Sequence, residues 1–179
     1  MLKRIKALTI AAASVAALGL GMGAAQEAGA VPSNVCQSSN VHTYNDNYAG
    51  AGHPAEYLEV NGWGGQGAAV GTWDWVNQDN ERWCLEKAAE GGWYFHPKYN
   101  PNLCLDVPGN KFPNKMVVWT CNGRINQRFD MNNHGPNGQP TGGHLWSVSD
   151  SRWLLDSTHH NGGQVGMAYF SDGAATRWQ

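Results

Sequence analysis

Cys104-Leu105-Asp106-Val107, then Trp119-Thr120-Cys121, then Asn126-Gln127-Arg128-Phe129: these 26 residues decide how the rest of the chain is read. Both ends of the stretch recur. Tyr57-Leu58-Glu59-Val60 and Asn80-Glu81-Arg82-Trp83 stand before it. Leu154-Leu155-Asp156-Ser157 and Ala175-Thr176-Arg177-Trp178 stand after it. The acid and the closing aromatic are 24, 23 and 22 residues apart. The openings recur after 47 and then 50 residues, and the closing aromatics after 46 and then 49. A period of this size marks a supersecondary unit stacked on copies of itself.

The thirteen residues ending at each closing aromatic align without gaps, over 71–83, 117–129 and 166–178. This alignment gives Cys104 and Cys121 counterparts in the other repeats: Tyr57 and Trp75 in the first, Leu154 and Phe170 in the third. Two neighbouring interior positions would look like this, bridged once and filled by large apolar side chains twice. Four cysteines allow three pairings. The alignment selects Cys104–Cys121, worth roughly 3 kcal/mol in the chain-entropy model, and elimination leaves Cys36–Cys84. Trp83, Phe129 and Trp178 are expected in the core.

Working outward, runs such as 93–96, 116–119, 145–148 and 152–155 read as strands. They lie between Gly/Pro/Asn clusters such as 132–143, which reads as a loop. No helical period of useful length is present, so an all-β barrel or sandwich follows. Three units of about 48 residues suggest a closed, pseudo-three-fold form. The third unit lacks a strand, which residues 38–50 are expected to supply, joining the two ends of the chain.

At the N-terminus, Lys3, Arg4 and Lys6 precede an apolar run from Ala7 to Leu20 and the small-residue exit Ala28-Gly29-Ala30. The run is too short to span a bilayer. Residues 1–30 are therefore expected to be a signal peptide cut before Val31, with a cut after Ala25 as the alternative. Residues 31–40 would be a tail and 41–179 one domain, secreted and extracellular, with no membrane insertion. Removing residues 1–30 leaves 9 Lys+Arg against 13 Asp+Glu, a charge of −4. No basic stripe is present, which disfavours nucleic acid. All nine Trp fall after residue 30, so disorder is a poor reading.

The quoted stretch resembles the ricin B-type β-trefoil lectins, which also serve as carbohydrate-binding modules on secreted actinobacterial enzymes. The resemblance covers about residues 41–179 and is strongest in the second repeat. It implies a β-trefoil: a six-stranded barrel capped by three hairpins. It also implies roles. The opening acid accepts hydrogen bonds from adjacent sugar hydroxyls, an aromatic before the second Cys stacks on the ring, and the Asn of the closing motif adds a polar contact.

Carried over, these roles fall on Asp106, Trp119 and Asn126, with Gln127 bracing the loop. Val117 stands where many family members have Gln, and the stretch 108–115 departs from the usual Gly/Thr-rich linker. In the first repeat the roles fall on Glu59, Trp73 and Asn80, and Glu is one methylene longer than Asp. The third repeat keeps Asp156 but has Ala168 and Ala175 at the other positions, with Tyr169 one place off, and reads as empty.

No nucleophile or metalloprotease motif is present, the cysteines are committed to bridges, and no C-x-x-C occurs. His159-His160 lacks a third metal ligand in sequence, and Gly62–Gly67 precedes no helix and reads as a surface loop, not a phosphate cradle. The expectation is a non-enzymatic lectin without metal or cofactor, whose partner is a polysaccharide or cell-surface glycan. The alternative is a targeting or adaptor subunit of a secreted toxin or enzyme complex, binding protein through the trefoil. A protease inhibitor would need a rigid loop, and 132–143, its one candidate, is too rich in Gly.

Overall fold

Alternating apolar and polar residues put every other side chain of a strand on one face, and the chain folds accordingly. The computed structural model describes residues 44–45, 55–109, 115–149, 151–156, 161–169 and 177–178. In the first repeat the strands are β1 (Tyr44–Asn45), β2 (Glu56–Val60), β3 (Val70–Asp74) and β4 (Trp83–Lys87). The second contributes β5 (Trp93–Pro97), β6 (Leu103–Asp106), β7 (Val117–Thr120) and β8 (Phe129–His134). The third contributes β9 (Pro140–Ser147), β10 (Trp153–Asp156), β11 (Gly163–Ala168) and β12 (Arg177–Trp178). Among the described residues the only helical elements are three short 3-10 turns.

Strands β2 and β3, β6 and β7, and β10 and β11 form antiparallel hairpins. The hairpins meet one another edge to edge. Thr72 pairs with Gly163, Ala69 with Val117, and Lys115 with Gly166. Strand β4 pairs with β5, and β8 with β9, so successive repeats are stitched together. Residues 38–50 were expected to complete the third repeat. That repeat has four described strands of its own. From 38–50, the described pair Tyr44–Asn45 adds to β2 and also contacts β12.

The closing aromatics Trp83, Phe129 and Trp178 are fully buried, among Leu58, Leu105, Leu154, Val70 and Val118. Burying each such ring contributes about 2–3 kcal/mol. A buried indole N–H needs an acceptor. Trp83 Nε1 donates to the Leu58 carbonyl at 2.9 Å, and Trp178 Nε1 to that of Leu154 at 3.1 Å. Phe129 has no such donor and meets Phe95 edge-on, with centroids 6.2 Å apart.

These two bonds correct the third repeat. They make Leu154, not Leu155, the counterpart of Leu58. The strand register agrees: Leu58 faces Thr72, Leu105 faces Val118 and Leu154 faces Met167. Leu155, opposite Gly166, therefore holds the register position of Glu59 and Asp106. Asp156 lies one residue further on, opposite Val165.

The Cys104–Cys121 bridge is present and spans 17 residues. In the first repeat the matching rings of Tyr57 and Trp75 lie 4.8 Å apart, as two neighbouring positions should. Cys84 is also disulfide-bonded. Cys36 lies outside the described residues, as do 1–30, His159, His160, Phe170 and Ala175.

The cluster 132–143 is less of a loop than expected. Strand β8 runs to His134 and β9 starts at Pro140, leaving only 135–139 as the turn. Register shifts between Met131 and Asn133 and between Asn133 and His134 let the ladder absorb Gly142 and Gly143, both at positive φ.

Candidate functional site

The second lobe is built on the β6–β7 hairpin. Leu103, Leu105 and Val118 point into the core. Period-two alternation puts Asp106, Val117 and Trp119 on the other face. Asp106 is opposite Val117, and Cys104, bonded to Cys121, is opposite Trp119. The 3-10 turn Ile125–Gln127 then brings two amides to the acid. Asn126 Nδ2 donates to Asp106 Oδ1 at 3.0 Å, and Gln127 Nε2 to Oδ2 at 2.8 Å. Gln127 is fully buried and also ties the loop down. Its Nε2 donates to the Thr120 carbonyl at 3.1 Å, and its Oε1 accepts the Asn122 N–H at 2.9 Å. Burial raises the Asp106 pKa, while Gln127, Asn126 and the Arg124 charge pull it down.

Trp119 is 42% exposed, although Val118 beside it and Cys104 opposite it are buried. Its ring edge lies against Gly67, which has φ +87°. The Gly67 N–H donates to the Val118 carbonyl at 2.7 Å. The turn after β2 thus walls one side of the second lobe. Neither Gly67 nor Arg124 was singled out from the sequence as part of a site; the Gly-rich run 62–67 was the only trace of this contact.

The first lobe repeats the plan with one change of sign. Glu59 faces Gly71, and Trp73, 38% exposed, faces Tyr57. Trp73 lies against Gly162, whose N–H donates to Thr72, just as Trp119 lies against Gly67. Asn80 Nδ2 donates to Glu59 Oε2 at 2.8 Å. At the position of Gln127, however, stands Glu81, fully buried. Its carboxylate accepts the N–H groups of Val76 and Gln78, each at 3.1 Å. Two buried acids now sit together. Desolvation first, and the Glu81 charge second, raise the Glu59 pKa from 4.5 to about 7, against the Asn80 hydrogen bond.

In the third lobe Ala168, buried, holds the stacking position and Tyr169 is 71% exposed. The strand register puts Leu155 where the acid would be. Asp156, Ala168 and Tyr169 are therefore not brought together as in the other lobes.

Among the described residues one cluster has the composition of a metal site: His96, Cys104 and Cys121. It does not suit a metal. Its sulfurs are joined to each other and are not thiolates. His96 Nδ1 faces the carbonyls of Pro101 at 2.8 Å and Leu103 at 3.1 Å, so it carries a proton.

The family described as Ricin-type beta-trefoil lectin domain matches residues 49–143, just over half of the chain. No curated protein matches the sequence. Solved structures share the fold. A designed three-fold symmetric protein, ThreeFoil, is 16% identical with a TM-score of 0.66, over 78% of this chain and 96% of that one. The beta-trefoil lectin of the Vibrio vulnificus hemolysin/cytolysin, solved with N-acetyl-D-lactosamine, is 17% identical with a TM-score of 0.57, over 79% and 92%. The C-half of an earthworm R-type lectin, solved with GalNAc, is 12% identical with a TM-score of 0.56, over 79% and 96%.

Proposed function

The chain belongs to the ricin-type beta-trefoil lectin family, and from that premise we propose that it is a secreted carbohydrate-binding protein whose principal site is the second lobe. One observation carries this reading: Asp106, with an amide on each carboxylate oxygen, shares a hairpin face with the exposed indole of Trp119. A sugar ring has an apolar face and a rim of hydroxyls. The indole takes the face. Each Asp106 oxygen keeps acceptor capacity for a hydroxyl, and the Asn126 side-chain oxygen offers another acceptor. Charge-assisted bonds to the carboxylate are the strongest of these. Gln127 pre-sets the carboxylate and is not a sugar contact. The first lobe, through Glu59, Trp73 and Asn80, is a weaker second site. No catalytic step is part of the reading.

The same proposal covers what frames the domain. Residues 1–30 are a cleaved signal peptide, 31–40 a tail and 41–179 the lectin domain, made of three repeats. Cys36 pairs with Cys84. The chain is of the type found on secreted actinobacterial proteins, and its ligand is a polysaccharide or cell-surface glycan. A single lobe binds with Kd on the order of millimolar, or about 4 kcal/mol, so a multivalent glycan would be held by avidity.

A glycan array, followed by calorimetry on the best sugar, tests this. GalNAc and N-acetyllactosamine are the natural first probes, because two structural neighbours were solved with them. Asp106→Ala and Trp119→Ala should each weaken binding about tenfold or more, the scale of one lost charge-assisted bond or stacking contact. Binding that survives both changes would move the activity elsewhere. The adaptor reading draws on one observation, the buried Ala168 where the third lobe lacks its aromatic. It predicts a stoichiometric protein partner in pull-downs from the native secretome, with no glycan bound.

A further inference from the structure

The β8–β9 ladder opens a cavity of about 500 Å³ beside β12, on elements that none of the acid–amide clusters uses. Asn132, Asn133, Thr141, His144 and Arg177 line it. None of its described lining residues is acidic. The bulged register of β8 turns two successive asparagines toward this end of the ladder. Gly142 and Gly143 leave the floor bare, and a Cβ on Gly143 would come within 3.1 Å of Asn132 Cβ. A glycine pair inside a strand weakens it and suits the close approach of a ligand.

Among the described residues no acid offsets the positive charge at this site. Arg177, exposed, pairs its backbone with His144. Among the described residues its guanidinium has no carboxylate partner. Asp130, on the same strand as the asparagines, is occupied by His134 at 2.7 Å and by the Met131 N–H at 2.9 Å. His144 is held flat on Trp153, with ring centroids 3.7 Å apart and planes 18° apart. Trp153, Trp146 and His134 line an adjoining, more open cavity of about 450 Å³, and Asn132 lines both.

We infer that these two cavities form a second saccharide site, selective for a glycan that bears a carboxylate or sulfate. Arg177 and the amides of Asn132 and Asn133 hold the acid group, and the indole of Trp146 receives the neighbouring ring. An arginine fork among amide donors, with no carboxylate partner among the described residues, matches an oxyanion. A cavity of this volume holds one pyranose, and the aromatic wall beside it accounts for a saccharide better than a bare ion would. The inference borrows from the proposed function only the class of ligand, and shares no residue with the Asp106 site.

The test is a titration of the full chain, followed by amide NMR shifts, with four probes: a uronate-containing disaccharide, a sulfated disaccharide, a neutral disaccharide and inorganic sulfate. At least one acidic disaccharide should shift the amides of β8, β9 and β12, and the neutral one should not. Arg177→Gln should weaken that binding about tenfold or more, as loss of a charge-assisted bond does. Asn133→Asp, nearly isosteric, should abolish it by placing a negative charge in the cavity. Asp106→Ala should leave it unchanged. Loss of acidic-sugar binding in Asp106→Ala together with its survival in Arg177→Gln would overturn the inference. So would inorganic sulfate binding as tightly as the acidic disaccharide, because the cavity would then be an ion site only. Failure of every neutral sugar at the second lobe would instead strike the proposed function alone.

Discussion

The first and second lobes present the same three residue types in the same strand register, and their acids are in different electrostatic states. Asp106 receives an amide on each oxygen. Glu59 receives one and looks toward a second carboxylate. The difference comes from a pair of positions rather than one. In the second lobe Asn122 Oδ1 accepts the Arg124 N–H at 3.0 Å, which frees Gln127 to donate to Asp106. In the first lobe Val76 stands in place of Asn122 and cannot accept. The Gln78 N–H, counterpart of Arg124, is taken by Glu81 instead. A glutamine at 81 would leave that N–H without its acceptor. Loop closure in the first lobe therefore requires an acid, and the acid then opposes ionisation of Glu59.

The largest expected effect concerns how each lobe is pinned. The second is bridged by Cys104–Cys121, where the first has the Tyr57–Trp75 contact. A loop of 17 residues gains roughly 3 kcal/mol from its bridge in the chain-entropy model. An aromatic pair gains about 0.5–1.5 kcal/mol beyond its burial. Replacing both Cys104 and Cys121 by Ala should lower the urea unfolding free energy by about 3 kcal/mol. A loss below about 1 kcal/mol would mean that strand pairing alone holds the second lobe.

A smaller effect separates the two acids by pH. The Glu59 pKa is raised from 4.5 to about 7. Between those values the folded chain binds more protons than the unfolded one, so stability falls as pH rises through this window. The penalty is complete above pH 7 and absent below about 4.5, and amounts to at most about 3 kcal/mol. Glu81→Gln together with Val76→Asn should copy the second lobe and flatten that slope in melts from pH 4.5 to 8. Glu81→Gln alone should also flatten it, but at a cost of about 1–2 kcal/mol for the unpaired Gln78 N–H. A steep slope persisting in the double variant would show that desolvation alone, without Glu81, sets the proton on Glu59. Any glycan held by the first lobe should bind more tightly between about pH 5 and 7 in that variant than in the native chain, because Glu59 is there a carboxylate in the variant and still protonated in the native chain; above pH 7 the two should converge.

Much of this is legible in the residues alone. The closing aromatics had to be interior, because a ring that recurs at a fixed phase in every unit has nowhere else to pack. The Cys104–Cys121 bridge was legible for the same reason: its positions are filled by Tyr57 and Trp75 in the first unit. The 132–143 cluster was misread as a loop because Gly and Asn serve a bulged ladder as well as a turn. The state of Glu59 was not legible. Its proton depends first on burial and then on how near Glu81 lies, and Glu81 is needed there only because Val76, five residues earlier, offers no acceptor.

The third opening shows the limit most plainly, and carries the smallest expected effect. Leu154-Leu155-Asp156 can be matched to Cys104-Leu105-Asp106 by its acid or by its buried leucine. Matching the acids is the natural choice on paper. The fold chooses the leucine, because the Trp178 indole must find the Leu154 carbonyl as Trp83 finds that of Leu58. The slip puts Leu155 at the acid's place in the ladder and carries Asp156 one residue beyond it. Because neighbours along a strand face opposite ways, restoring the aromatic should not restore a site. Ala168→Trp is expected to leave the number of sugars bound per chain unchanged in calorimetry. Should a new site emerge from that single change, the leucine match would be wrong and the third lobe would be one side chain away from the second. If instead binding emerges only when Leu155→Asp is added, the acid's place in the ladder, and not its presence in the sequence, is what a lobe requires.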